Sequence, residues 1–450
     1  IEGYAMKISH LSLQNFRKYK SACFQFHPRF TVLIGNNGAG KTTVLDALAI
    51  MLNTYFQSSR LVTGGGAIKP ADAHYILTQK QGQVFREQKN NVALDVEARI
   101  GNAPVNWRRE IGDRGGKAKV LVRLGTEARE QIKAGASPDL PLLLYYGAGR
   151  LWSLHDDVET DKPSSQLDAY RYCLDPKSDQ KAFEKWFKKL AYTELQKRVN
   201  IPAVASVKNA VLACIPGAQD FFHDTEYDQL TIQLEKEGLT PFNSLSDGYR
   251  NMVAMVADIA HRASRLNPHH GAQAALKTTG IVLIDEIDLH LHPKWQRRVV
   301  PDLQRAFPQL QFIATTHSPF ILQSLEPGEV IDLDQPWRAD TGRNAPVGVA
   351  SPGPGHAFSN RAIEDIVESV MGVALPQRGE RYQRMYEAAQ AYYTLLAQVP
   401  QADEAARQAL KARLDELSAP FSDNVAYHAF LEMERLAAGL GRSSAVRKDV

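Results

Sequence analysis

Gly35-Asn36-Asn37-Gly38-Ala39-Gly40-Lys41-Thr42-Thr43 sits between a strand signal and a helix signal, and no other stretch constrains the chain as much. Before it, Phe30-Thr-Val-Leu-Ile34 is an apolar, β-branched run that reads as a buried strand. After it, Val44, Leu45, Leu48, Ile50 and Met51 recur at helical spacing. A glycine-rich loop held in this way can curl until its N–H groups face a phosphate, where the helix dipole also favours negative charge. The fold class that follows is α/β, with the loop at the carboxyl end of a parallel strand.

Ile281-Val-Leu-Ile284 repeats the buried-strand pattern and ends in two adjacent carboxylates, Asp285 and Glu286. Given a phosphate loop, Asp285 is expected to hold Mg²⁺ with the Thr42 hydroxyl, and Glu286 to orient and deprotonate the attacking water. Lys41 is expected to neutralise phosphate oxygens, with Asn36, Asn37, Gly38, Ala39, Gly40, Thr42 and Thr43 completing the nucleotide contacts. A third apolar run, Leu310-Gln-Phe-Ile-Ala314, leads into Thr315-Thr316-His317, where His317 is placed to sense a γ-phosphate by hydrogen bonding. Asp288-Leu-His290-Leu-His292 tempts a zinc reading. Two histidines with no cysteine partner make a poor zinc site, so an interface loop is the better reading.

Leu245-Ser246-Asp247-Gly248-Tyr249-Arg250 opens an apolar helix and offers a second phosphate-binding N-terminus; taken alone it reads equally as a plain N-cap. The four blocks in this order resemble the ABC-type ATPases of the SMC and RecF kind, over residues 6–334. That resemblance implies an ABC-type P-loop head: a mixed sheet with the P-loop helix, an antiparallel lobe, a helical lid insertion and a helical C-terminal region. It also implies a homodimer that sandwiches two ATP molecules, with Ser246, Asp247 and Gly248 acting in trans on the partner's nucleotide. Met6 to Tyr19 resembles the first strands of RecF-like heads. Within it, Arg17 reads as a phosphate contact or a solvated arginine, and Phe16 and Tyr19 as adenine neighbours or hairpin core. Tyr145-Tyr146-Gly147-Ala-Gly149-Arg150 stands where such heads carry a glutamine loop, so that glutamine's role is unassigned and Arg150 is a substitute contact or a surface arginine.

At 450 residues and 44% hydrophobic content, the chain exceeds a single core. Three scattered cysteines, Cys23, Cys173 and Cys214, fit a reducing, cytoplasmic setting, and no run approaches a membrane span. Ile1-Glu-Gly-Tyr-Ala5 reads as an addition ahead of a natural Met6. Residues 61–135 carry 13 Lys or Arg against 8 Asp or Glu, compatible with nucleic acid but more simply with solvated edge strands. Val92 to Ile100 and Lys119 to Arg123 read as antiparallel strands of the first lobe, and 161–225 as a compact helical lid. The expected division is 6–160 for the first ATPase lobe, 161–240 for the lid, 241–334 for the second lobe, 335–360 for a linker and 361–450 for helical partner docking.

The tail narrows the family. Ile363 to Val373, the helix with Tyr392-Tyr393, and Phe421 to Arg435, together with Tyr145-Tyr146-Gly147 and Arg150-Leu-Trp152, are similar to PtuA ATPases of Septu antiphage systems and related retrons. The resemblance implies a separate HNH endonuclease partner, PtuB, and in retron systems a reverse transcriptase with its RNA–DNA hybrid. Tyr392, Tyr393, Tyr427 and Phe430 read individually as helix-bundle core before partner contacts. ATP hydrolysis is the one chemistry expected, since no Toprim-type acidic cluster, HNH array or Ser-His-Asp grouping stands out. A RecF-type repair ATPase acting directly on DNA, or a nucleotide-gated scaffold with little turnover, are the competing readings.

Overall fold

Runs that are apolar on both faces can be buried only in a sheet covered on both sides, and five such runs pair here. The computed structural model describes residues 5–59, 61–80, 83–89, 91–112, 118–149, 165–176, 180–334, 358, 361–369, 380–399, 402–421 and 425–440. Numbered along the chain, its strands are β1 Met6–Phe16, β2 Tyr19–Gln25, β3 Phe30–Ile34, β4 Tyr75–Lys80, β5 Gln83–Gln88, β6 Ala93–Ile100, β7 Ala103–Glu110, β8 Leu142–Tyr146, β9 Ala218–Asp224, β10 Gln229–Leu234, β11 Gly238–Pro241, β12 Gly280–Ile284, β13 Leu310–Thr315 and β14 Val330–Asp332. The core sheet runs β14-β3-β13-β12-β8 with every pairing parallel. Its registers set Ile284 beside both Ala314 and Tyr146, and Thr315 beside Leu33, so the carboxyl ends of four strands finish together.

The antiparallel strands are sorted into sheets of their own: β2-β1-β6-β7, β11-β10-β9 and the pair β4-β5. Buried Gln311 of β13 joins the first of these to the core sheet. Its side chain accepts from the Ile8 amide at 2.8 Å and donates to the carbonyls of Ile8 at 2.8 Å and His27 at 3.0 Å. β1 shifts register against β6 between Ile8 and His10, and Gln311 satisfies the backbone groups beside that irregularity. The P-loop helix Lys41–Leu52 is buried along most of its length, and the Trp107 indole of β7 donates to the Met51 carbonyl at its end, 3.1 Å away.

Two sequence readings change. Lys119 to Arg123 is not a strand but the start of the helix Lys119–Lys133, which buries Leu121, Leu124 and Ala128 at helical spacing. The alternation of Val120 and Val122 misleads only in a five-residue window. The helical stretch expected to 225 consists of Gln180–Lys197 and Pro202–Cys214 and then gives way to strands, because Ala218–Asp224 pairs with Gln229–Leu234 as a hairpin. Arg150, Trp152, Met371, Gly372 and all of 335–360 except Phe358 lie outside the described residues.

The chain divides into two compact units, 1–366 and 367–450. In the second, Glu380–Leu396, Glu404–Ser418 and Val425–Ala437 are helical and bury Tyr392, Leu396, Val399, Leu414, Leu431 and Leu440 together. Tyr392 and Tyr427 also hydrogen-bond the carbonyls of Leu431 and Met385, so both belong to this core. No helix among the described residues is long and apolar enough to cross a membrane.

Gln311→Ala should lower unfolding free energy by about 3 kcal/mol, since three buried backbone groups lose partners at roughly 1 kcal/mol each. Urea unfolding of the two proteins measures this, and a difference below about 1 kcal/mol would show that water replaces the amide.

Candidate functional site

Three strand ends build the site, each contributing what the next residue after a buried strand can carry. β3 runs into the loop, where Gly38 and Gly40 take left-handed conformations at φ 81° and 99°. A Cβ on Gly40 would meet the Tyr19 hydroxyl at 2.5 Å, so the loop backbone passes close against β2. Tyr19 donates from that hydroxyl to the Ala39 carbonyl at 3.0 Å, and Lys18 Nζ donates to the Gly38 carbonyl at 2.7 Å. Lys41 Nζ donates to the carbonyls of Gly35 at 2.6 Å and Asn36 at 3.2 Å. Burial lowers the Lys41 pKa, and the nearby carboxylates of Asp334, Asp285, Glu286 and Asp288 oppose that shift.

β12 leads directly into Asp285, and β13, lying between β3 and β12, ends in Thr315. The Thr42 hydroxyl donates to Asp285 Oδ2 at 2.9 Å, while the Thr315 hydroxyl donates to Asp285 Oδ1 at 2.6 Å. The same Thr315 oxygen accepts from the Glu286 amide at 2.7 Å. Glu286 adopts φ 50°, a left-handed conformation that costs a non-glycine residue about 1–2 kcal/mol. That turn leaves Glu286 half-buried at the edge of a cleft of about 690 Å³.

The cleft gathers most of the residues singled out from the sequence. Asn37, Gly38, Gly40, Lys41, Thr42, Thr43, Arg17, Asp285, Glu286 and His317 line it. Asn36 and Ala39 do not: the Asn36 amide donates to Asp334, and Ala39 is buried. Arg17 is engaged by Asp46 and by Asp72, the latter at 2.9 Å, and although burial opposes its charge these two carboxylates raise its pKa. Phe16 is core. Ser246, Asp247 and Gly248 are absent from the cleft's lining. They begin the helix Asp247–Leu266, where Ser246 is exposed and its side chain caps no amide, and a Cβ on Gly248 would meet the His290 carbonyl at 2.5 Å.

Sequence reasoning missed Thr315, whose role depends on strand order, and the far wall of Ala71, Ala73, His74 and Tyr75. The His74 ring sits 2.7 Å from the Arg17 carbonyl, and the Arg86 guanidinium lies 3.7 Å over the Tyr75 ring. It also missed a buried network behind the site. Tyr146, ending β8, donates to Asp258 at 2.8 Å; Arg262 bonds the same carboxylate at 3.0 Å and the carbonyls of Ala169 and Arg171. Burial disfavours the Asp258 charge, but Arg262, His261 and the Tyr146 hydroxyl together outweigh it and lower the carboxyl to about 2. His261, 3.6 Å from Asp258 and 4.3 Å from the Trp186 ring centre, is pushed down by burial to about 4.

Comparison with known proteins follows the same outline. The family model "AAA ATPase domain" matches residues 6–212, and an AAA domain model matches 137–323. "Retron Ec83 probable ATPase" of Escherichia coli is 26% identical, over 97% of this chain and 88% of that protein. "Septu protein PtuA" of Bacillus thuringiensis is 24% identical, over 81% of this chain and 84% of its own. A solved Smc head domain bound to the C-terminal domain of ScpA, derived from Pyrococcus furiosus, is 15% identical with a TM-score of 0.41, over 73% of this chain and 93% of that one.

Because His261 is held neutral, acid should destabilise the fold. Its folded pKa lies below its unfolded value, so stability is complete above about pH 6.5 and is lost as pH falls toward about 4, by on the order of 1 kcal/mol per pH unit. Asp258 adds a further loss only below about pH 4. His261→Phe should flatten the upper window in urea titrations between pH 7 and 4.5; an unchanged slope would assign it to other groups. Cleft and relatives agree on an ATPase: the chain matches AAA domain models over 6–212 and 137–323 and is similar over most of its length to the retron and Septu PtuA ATPases.

Proposed function

We propose that two copies of this chain close head to tail over two ATP molecules, and that hydrolysis controls a nuclease partner in bacterial antiphage defence. The observation that carries the ATPase half is the Thr42–Asp285–Thr315 chain of hydrogen bonds, which sets the Glu286 carboxylate at the cleft's edge. The Thr42 and Asp285 oxygens form a hard donor set suited to Mg²⁺. Mg²⁺ held there would offset charge on the phosphate oxygens. Lys41 turns from its own loop carbonyls to the phosphates, Glu286 aligns a water and accepts its proton, and His317, exposed at the strand end, hydrogen-bonds the γ-phosphate.

The exposed Ser246, whose side chain caps no amide of its own helix, supports a role in trans: its hydroxyl and helix N-terminus meet the ATP held by the other chain's P-loop, with Asp247 and Gly248 beside it. Glu286→Gln should leave ATP binding intact, slow hydrolysis about 10²–10⁴-fold and trap the closed dimer, as mass measurement with ATP would show. Wild-type rates in that variant would remove Glu286 from catalysis. Ser246→Arg and Lys41→Ala should each be inactive, yet recover partial activity when mixed, because one hybrid site collects both lesions and the other neither. No recovery at any ratio counts against sharing.

The similarity to Septu and retron ATPases supports an HNH endonuclease of the PtuB kind as partner, with a reverse transcriptase and its RNA–DNA hybrid in a retron setting. Cys173 and Cys214 are buried free thiols, which supports the reducing cytoplasm. The second unit exposes Tyr393, Phe430, Met433 and Leu436, with the rings of Tyr393 and Phe430 6.5 Å apart. Phe430→Ser with Met433→Ser should weaken nuclease copurification at least tenfold while ATPase rate is unchanged. Equal loss of both activities would make this helix part of the ATPase body, and unchanged copurification would place docking elsewhere.

A further inference from the structure

Outside the cleft, one group of side chains converges without any part in nucleotide chemistry. His269 Nε2 and His270 Nε2 lie 2.7 and 2.9 Å from the same oxygen, Asp139 Oδ1, and the three donor atoms fall within 4.8 Å of one another. The two imidazoles are 4.2 Å apart between ring centres. Their backbones are fixed by a shared anchor. Buried Asn267 accepts from the Leu140 amide at 2.8 Å and donates to the Leu140 carbonyl at 3.0 Å, so the loop carrying Asp139 is pinned to the residue two before His269. Pro138 and Pro141 flank Asp139-Leu140 and Pro268 precedes the histidines, which stiffens both segments and lowers the ordering cost of bringing ligands together.

Two imidazole nitrogens and one carboxylate oxygen suit a borderline cation and not Mg²⁺ or Ca²⁺, which take oxygen donors. In a tetrahedral zinc site, ligands about 2.0–2.1 Å from the ion lie roughly 3.4 Å apart, a spacing these side chains reach by small rotations. All three are partly exposed, with side chains 44%, 28% and 17% accessible, so an ion can enter from solvent and a water can complete the shell.

We propose that Asp139, His269 and His270 bind one divalent transition-metal ion of the Zn²⁺ class, which clasps the loop before β8 to the turn after the helix Asp247–Leu266. The site is structural and stands apart from ATP hydrolysis: Asp139 lies before the first residue of β8, at the end opposite Tyr146, which is level with Ile284 just before Asp285.

The full chain, stripped with chelator and then gel-filtered after exposure to micromolar ZnCl₂ in excess Mg²⁺, should carry about one zinc by elemental analysis. His269→Gln and His270→Asn, which keep a hydrogen-bonding side chain toward Asp139 and guard against unfolding, should each lose that zinc, while His292→Ala retains it. Zinc should raise the melting temperature of the wild type and of His292→Ala but of neither ligand variant. Wild-type chain without bound zinc, or zinc retained in both ligand variants, would overturn the proposal. Loss in His292→Ala alone would move the metal to the loop after Glu286.

Discussion

One hydroxyl holds the cleft end of the core sheet together. Thr315 donates to the Asp285 carboxylate and accepts from the Glu286 amide, so a single oxygen fixes both acids of the pair. It can do so only because β13 lies between β3 and β12 in register, bringing Thr315 beside Leu33 on one side and Ala314 beside Ile284 on the other. The left-handed turn at Glu286 is unfavourable by itself and is held by this bond and by the Ile287 amide, which donates to the Thr315 carbonyl at 2.9 Å. Loosen the sheet order, and Thr42, Asp285 and Glu286 no longer share a cleft.

What the sequence disclosed about this arrangement was local. Strand, glycine loop and helix are contiguous, so residues 30–51 declare themselves, as does a strand that ends in Asp285-Glu286. Thr315 was visible beside His317, but its task was not, because hydroxyl-to-carboxylate contact across 30 residues follows from strand order and no periodicity encodes it. The wall from Ala71 to Tyr75 was illegible for a similar reason: it is a short irregular segment with no repeating pattern, brought to the cleft by the Arg17 amide bonding the Asp72 carbonyl. Arg17 itself had been divided between phosphate and solvent. It is half-buried between Asp46 and Asp72 and borders the cleft, and Asp46 also accepts from Tyr145 at 2.9 Å, so Asp46 ties the loop helix to both Arg17 and β8.

The helix Asp247–Leu266 is tied to β8 and to the segment just before it. Midway along it, Asp258 receives the Tyr146 hydroxyl; just past its end, Asn267 pairs with both backbone groups of Leu140. Breaking the buried Asp258–Arg262 pair on one side leaves an uncompensated charge, which costs more than the pair's own net stabilisation, so the network enforces position more than it adds stability. These contacts involve residues that looked like ordinary helix and strand positions, and only their depth in the fold gives them weight.

A rigid tie of this kind has a consequence for the proposed head-to-tail pairing. Lys41 and Thr42 follow β3, Ser246 leads the helix bound to β8, and both strands belong to one five-stranded sheet whose members are buried on both faces. Sheets packed this way transmit displacement and do not absorb it. Ser246 therefore has little freedom to move relative to its own P-loop, which supports the proposal that its exposed helix N-terminus serves a phosphate held by a second chain. In the pairing proposed above, ATP would act between copies and not within one: its γ-phosphate would be the element both chains grip, and the free energy available to the assembly would be the difference in affinity between the closed pair with that phosphate and without it.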